Sequence, residues 1–141
     1  MFSPVSIAEY RALSELRYRI RCFLNFSEGA AREVGLEPQQ HQLLLAIEGL
    51  PDGEEPTIGR IAERLQIAHN SAVDLVRRAV ERGLVEKRPR PEDRRAILLA
   101  VTESGATLLE SLSRAHRTEL RAMAPALVET VQLLVVDGGA R

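Results

Sequence analysis

Between residues 69 and 78 the chain places His69, Asn70, Ser71, Asp74, Arg77 and Arg78 among the apolar residues Ala72, Leu75, Val76 and Ala79. On a helix the apolar four form one face and the six hydrogen-bonding residues lie on the other side. Those six match duplex DNA chemistry. Asn70 can pair bidentately with adenine, and His69 and Ser71 can donate or accept at base edges. Arg77 and Arg78, further along, suit phosphate. Asn70 or Ser71 could instead cap the helix. Asp74 is the anomaly, because a carboxylate repels phosphate. It can accept from cytosine N4, or orient Arg77 and Arg78 at i+3 and i+4. A second basic group follows, with Arg88, Arg90, Arg94 and Arg95 around Pro89, Pro91 and Asp93.

The total charge conceals this concentration. The chain has 141 residues and a net charge of −1, yet Arg60 to Arg95 holds ten basic residues against six acidic ones. The remainder is correspondingly acidic, so a polyanionic partner is expected for the middle of the chain. Hydrophobic residues at 45% and charged residues at 28% are the balance of a folded globular chain. Apolar runs stop short of the ~20 residues of a membrane helix, and no signal-peptide core opens the sequence. The cytoplasm is the expected compartment, with no membrane partner. One cysteine, Cys22, excludes an internal disulfide framework. His41, His69 and His116 are scattered, and no Ser-His-Asp, HExxH or glycine-rich phosphate loop occurs. The chain therefore reads as a non-enzyme without metal or cofactor.

The elements that must position these residues follow from periodicity and caps. Ile7, Tyr10, Leu13, Leu16, Ile20, Phe23 and Leu24 predict a long helix from Ser6 to about Arg32, closed by Gly35. Pro38 opens a second helix, Gln39 to about Leu50, with an apolar centre at Leu43, Leu44, Leu45 and Ile47. Thr57 caps a short helix, Ile58 to Leu65. Three residues then lead into a helix from His69 to Arg82, with Gly83 behind it, which is helix-turn-helix spacing. Two strands, Leu84 to Lys87 and Ala96 to Val101, form a hairpin around a long basic tip, Arg88 to Arg95. Thr102 starts a helix bearing Leu108, Leu109, Leu112 and Ala115. A last helix runs from about Pro125 to Val136, and the tail 137–141 is expected to fray.

The run from Ile61 to Leu109, and above all RGLVEKRPRPEDRRAILLAVTESG, resembles the winged helix-turn-helix of MarR-family transcriptional regulators. The resemblance implies a mainly α fold of about six helices with a small β-hairpin wing. Residues 38–101 would be the DNA-binding domain, and 1–37 with 102–141 a helical dimerisation region. It implies a homodimer, agreeing with apolar stripes on the outer helices that a winged core alone would leave bare. Two recognition helices about 34–36 Å apart would read an inverted repeat of roughly 16–20 base pairs.

In the wing, the resemblance implies that Asp93 holds the guanidinium of Arg95, which enters the minor groove, while Arg88, Arg90 and Arg94 supply charge. It also implies repression relieved by a small aromatic or phenolic effector, with Arg17, Tyr18, Arg21, Phe26 and His41 near its cleft. Cys22 falls where a peroxide-sensing branch carries its reactive thiol, although the second helix lacks that branch's tyrosine. Oxidation sensing through Cys22, or an interaction module that has lost DNA binding, are the alternatives.

Overall fold

The computed structural model describes residues 3–135, the Arg94 side chain excepted. Its elements are α1 (Ile7–Glu33), α2 (Pro38–Glu48), α3 (Ile58–Leu65), α4 (His69–Glu81), β1 (Val85–Arg90), β2 (Asp93–Val101) and α5 (Glu103–Val135). The expected tail, 137–141, and the end of the last helix at Val136 lie outside the described residues. The chain divides into two units. Residues 30–113 form one, and the described residues before and after them form the other.

The central unit is built by caps that the sequence announces. Thr57 Oγ1 accepts the Arg60 N–H at 3.1 Å and starts α3. Gln66 closes α3 in the left-handed region, and Ala68 is extended before α4. Pro38 sits at the start of α2, where its missing N–H leaves no bond unmade. Leu36, Leu43, Leu44, Ile61, Leu75, Val76, Leu84, Val85 and Leu99 make the core. Leu109 and Leu112 of α5 pack into that same core. Leu45, counted with the apolar centre of α2, is half exposed instead.

Two expectations are corrected. The hairpin is longer than read, because β1 and β2 pair antiparallel from Val85↔Val101 as far as Arg90↔Asp93. Only Pro91 and Glu92 form the turn. The register shifts between Pro89 and Arg90, leaving Arg94, Arg95 and Ala96 as extra residues on β2. The bulge accommodates Pro89, which composition alone assigns to a loop, while Pro91 stays in the turn. The outer edge of β2 is tied down by Leu99 N–H, which donates to Pro56 O at 2.8 Å. Secondly, the two helices expected after Thr102 are a single helix of 33 residues, α5, with Pro125 inside it. One proline forfeits one backbone bond, and the rest of a long helix can outlast it.

The outer unit consists of α1 up to Gly29 and α5 from Arg114. Its Phe23 and Phe26 rings meet the His116 ring edge-on, at centroid distances of 5.7 and 5.3 Å. The His116 Nε2 lies 2.8 Å from Ser27 Oγ. Among its described residues only Ala12 and Thr130 are buried. Ile7, Tyr10, Leu13, Ile20 and Leu24 of α1 remain exposed, as do Leu120, Val128, Val131, Leu133 and Val135 of α5.

Candidate nucleic-acid interface

Ala72, Leu75, Val76 and Ala79 are all buried, so α4 is seated along the face that periodicity predicts. Its first turn consequently faces outward. His69, Asn70 and Ser71 are exposed. Ala68 at the N-cap makes no side-chain bond. Among the described residues, neither Asn70 nor Ser71 supplies a cap in its place, so all three polar side chains are uncommitted.

The second half of α4 is committed. Asp74 Oδ1 accepts from Arg77 Nη2 at 2.6 Å, and its other oxygen accepts from Arg78 Nη1. The Arg77 hydrogen bond, reinforced by the two guanidinium charges, holds the Asp74 carboxyl below its ordinary 3.8. Burial opposes that shift only partly. Arg77 also donates to Glu81 at 3.0 Å, and its guanidinium is held above its ordinary range, first by Asp74 and then by Glu81. Arg78 Nη2 reaches Glu37 at 3.1 Å, which ties α4 to the N-terminus of α2. Of the two roles open to Asp74, orientation of the arginines is the one its contacts display.

Arg82, absent from the expected site, has a positioning role. Its Nη1 donates to Gly35 O at 2.8 Å and to Gln40 Oε1 at 3.0 Å. Gln40 is fully buried and its Oε1 also accepts the Glu37 N–H at 3.1 Å. The two Arg82 contacts span more than forty residues and have no local signature.

In the wing, Asp93 makes a main-chain contact, with no ion pair to the Arg95 guanidinium among the described residues. Its Oδ1 accepts the main-chain N–H of Arg95 at 3.0 Å, so it shapes the turn, and the Arg95 side chain projects as an exposed cation. A short polar side chain bonding the backbone two residues on is the usual Asx turn. Arg88 pairs with Glu86 at 2.6 Å, and Arg90 with Glu55 ahead of α3. Arg94 lies on β2, and its side chain is outside the described set. Lys87 and Arg64, which spacing does not single out, are exposed cations without an ion pair among the described residues.

The five residues expected near an effector cleft are divided. Arg17, Tyr18, Arg21 and Phe26 belong to the outer unit, and His41 is buried in the winged one. Phe26 packs on His116, while Arg17 and Arg21 are exposed. Cys22 is exposed, where an apolar helix would ordinarily bury it. Tyr18 lies one turn earlier on α1, and the neighbouring Cys22 pushes its phenol above the ordinary 10.0. Among the described residues no cluster of three His, Cys, Asp or Glu could hold a metal, and no helix is long and apolar enough to cross a membrane.

A three-residue turn into an outward-facing helix, backed by a bulged basic hairpin, defines a winged helix-turn-helix protein. The family model described as MarR family matches residues 34–96, the winged segment itself. Over that segment, somewhat under half of the chain, the sequence is similar to the MarR family. No curated protein matches it by sequence. Among solved structures it is similar to a MarR family transcription regulator, with a TM-score of 0.73 and 19% identity over 90% of this chain and 87% of that one. It is also similar to a mutant of S. aureus MepR bound to an oligodeoxyribonucleotide, at 0.64 and 18% over 89% and 84%. A third is CouR from Rhodococcus jostii bound to p-coumaroyl-CoA, at 0.65 and 21% over 89% and 92%. At these identities the likeness establishes the fold.

Proposed function

We propose that this protein is a homodimeric, sequence-specific regulator of transcription that binds duplex DNA and acts as a repressor in the cytoplasm. The observation that carries the reading is the row His69, Asn70 and Ser71, exposed and without partners in the first turn of a helix whose opposite face is buried. Polar side chains at a recognition-helix N-terminus are the ones that reach base edges. Arg95 on the bulge enters the adjacent minor groove, with Arg88 and Lys87 near phosphate and Arg94 on the same strand. The DNA-bound MepR mutant of similar fold supports this mode.

A second copy completes the outer unit. Two buried residues among its described positions are too few for a helical layer of that size. Its exposed leucines and valines on α1 and α5 form a patch that a two-fold dimer buries twice over. The operator is then an inverted repeat. Release follows from a small organic effector that favours a dimer with mis-spaced α4 helices. CouR, with its bound p-coumaroyl-CoA, supports an effector of this kind. A second reading, oxidation at Cys22, is favoured by the exposure of that thiol one turn from Tyr18.

Fluorescence anisotropy on the duplex upstream of the protein's own gene, against a scrambled duplex at 50 and 200 mM salt, tests the proposal. Preference for the upstream duplex, with a loss on Arg95→Ala, supports it. Equal binding to both duplexes with no effect at Arg95 refutes it. For the second reading, peroxide must release DNA from the native protein and spare Cys22→Ser.

A further inference from the structure

We infer that Asp74 is a positioning residue that withdraws Arg77 and Arg78 from the DNA backbone, so that α4 contributes selectivity with little sequence-independent affinity. This rests on the DNA-binding reading above and assigns how the recognition helix divides its work.

Both guanidiniums sit among carboxylates. Arg77 bridges Asp74 at 2.6 Å and Glu81 at 3.0 Å, and Arg78 bridges Asp74 and, at 3.1 Å, Glu37. Three acids thus face two bases: the second half of α4 is neutral by itself, and Glu37 from the start of α2 gives the cluster one net negative charge. A phosphate approaching it meets Asp74 as well as the arginines and would have to break two ion pairs for each cation it captured. The first turn differs in kind, because His69, Asn70 and Ser71 carry no acid among them. In the winged unit Arg64, Lys87 and Arg95 are exposed and unpaired among the described residues, so they are the cations ready for phosphate and groove. Arg78 has a further reason to stay, since its bond to Glu37 anchors α4 on α2. The division suits discrimination: non-specific binding is almost wholly electrostatic, whereas base contacts carry sequence. Removing backbone grip from the reading helix lowers affinity for every site by about the same factor, so base contacts make up a larger share of what α4 contributes.

The test is anisotropy on the upstream and scrambled duplexes across salt, with native protein, Asp74→Asn, Asp74→Asn/Arg77→Ala and Arg77→Ala. Each phosphate contact steepens the salt slope by about 0.9, so one gained contact enlarges the loss between 50 and 200 mM by about 3.5-fold. Asp74→Asn is expected to show that steepening and to bind the scrambled duplex about 3-fold or more tightly at 50 mM. It should tighten on the upstream duplex by a similar factor, since phosphate is met at any sequence, and adding Arg77→Ala should restore the native slope. Arg77→Ala alone should leave the native slope unchanged, an arm that does not depend on how Asp74→Asn folds. A native-like slope and affinity in Asp74→Asn overturns the inference, as does a shallower slope in Arg77→Ala. Lost affinity for the upstream duplex traced to one base pair also overturns it, by making Asp74 a base reader. If the native protein binds neither duplex, the DNA-binding reading falls and takes this inference with it.

Discussion

Gly105 is the residue whose replacement should reverse the effect expected from helix propensity. It lies in the first turn of α5, and a Cβ built there would stand 2.3 Å from Leu84 O and 3.0 Å from Val101 Cγ1. Carbon and carbonyl oxygen rest at about 3.3 Å or more, so backbone must give by about 1 Å. Leu84 has little room to give. It is 2% exposed, and its carbonyl accepts the Thr102 N–H at 3.0 Å. Thr102 Oγ1 in turn donates to Gly83 O at 2.6 Å and accepts the Gly105 N–H at 3.0 Å.

Overpacking costs about 1–3 kcal/mol, and loosening one of these bonds about 1 kcal/mol more. The propensity gain of alanine returns at most about 1 kcal/mol. Gly105→Ala should therefore lose about 1–3 kcal/mol net, by this balance. Gly59 in α3 is the internal control, since a Cβ there meets nothing within 4 Å. Gly59→Ala should gain about 0.5–1 kcal/mol. Urea unfolding followed by circular dichroism, at one protein concentration for all variants, reads both midpoints. A Gly105→Ala midpoint at or above the native one, or moving in the same direction as Gly59→Ala, would refute the close-approach argument.

Other expectations are as direct. Arg82→Ala strips a bond from the fully buried Gln40 and should cost about 1–3 kcal/mol in unfolding free energy, yet leave the DNA salt slope unchanged; a shallower slope would make Arg82 a phosphate contact. Leu75→Ala opens a cavity behind α4 and should cost about 2–5 kcal/mol by thermal or chemical melt. The Asp74 carboxyl, depressed in the folded state, contributes stability above its unfolded pKa and loses it as pH falls through the folded value. Its NMR titration midpoint should lie below 3.8 and climb towards 3.8 in Arg77→Ala. Sedimentation should give twice 15.6 kDa, and Val128→Asp should break the dimer; a native monomer would remove the basis for a symmetric operator.

What the sequence could and could not disclose follows from range. Thr57, Pro38 and Gly83 act within one turn of themselves, so their caps and boundaries are legible. The Asp74 bridges are legible for the same reason, being i+3 and i+4. Proline misleads in both directions. Pro89 suggests a loop, yet it fits beside a bulge, and Pro125 suggests a helix start, yet it rides inside α5. In each case neighbours fixed by the rest of the fold outweigh the local preference. Arg82 and Arg90 read as generic cations because Gly35, Gln40 and Glu55 approach them only in three dimensions. Asp93 shows the converse. Its place opposite a guanidinium comes with the resemblance, while its preference for the nearby N–H is ordinary Asx chemistry.

The two-stranded hairpin also has a consequence for solubility. A ribbon this narrow is nearly all border, and bare borders recruit strands from other molecules. Here β2 is covered by the Pro56 carbonyl, and β1 carries Lys87 and Arg88 with Pro89, which has no amide hydrogen to offer. The bulge twists the remaining stretch away from a flat template. The cations and prolines of the wing therefore keep the hairpin from polymerising with its own kind.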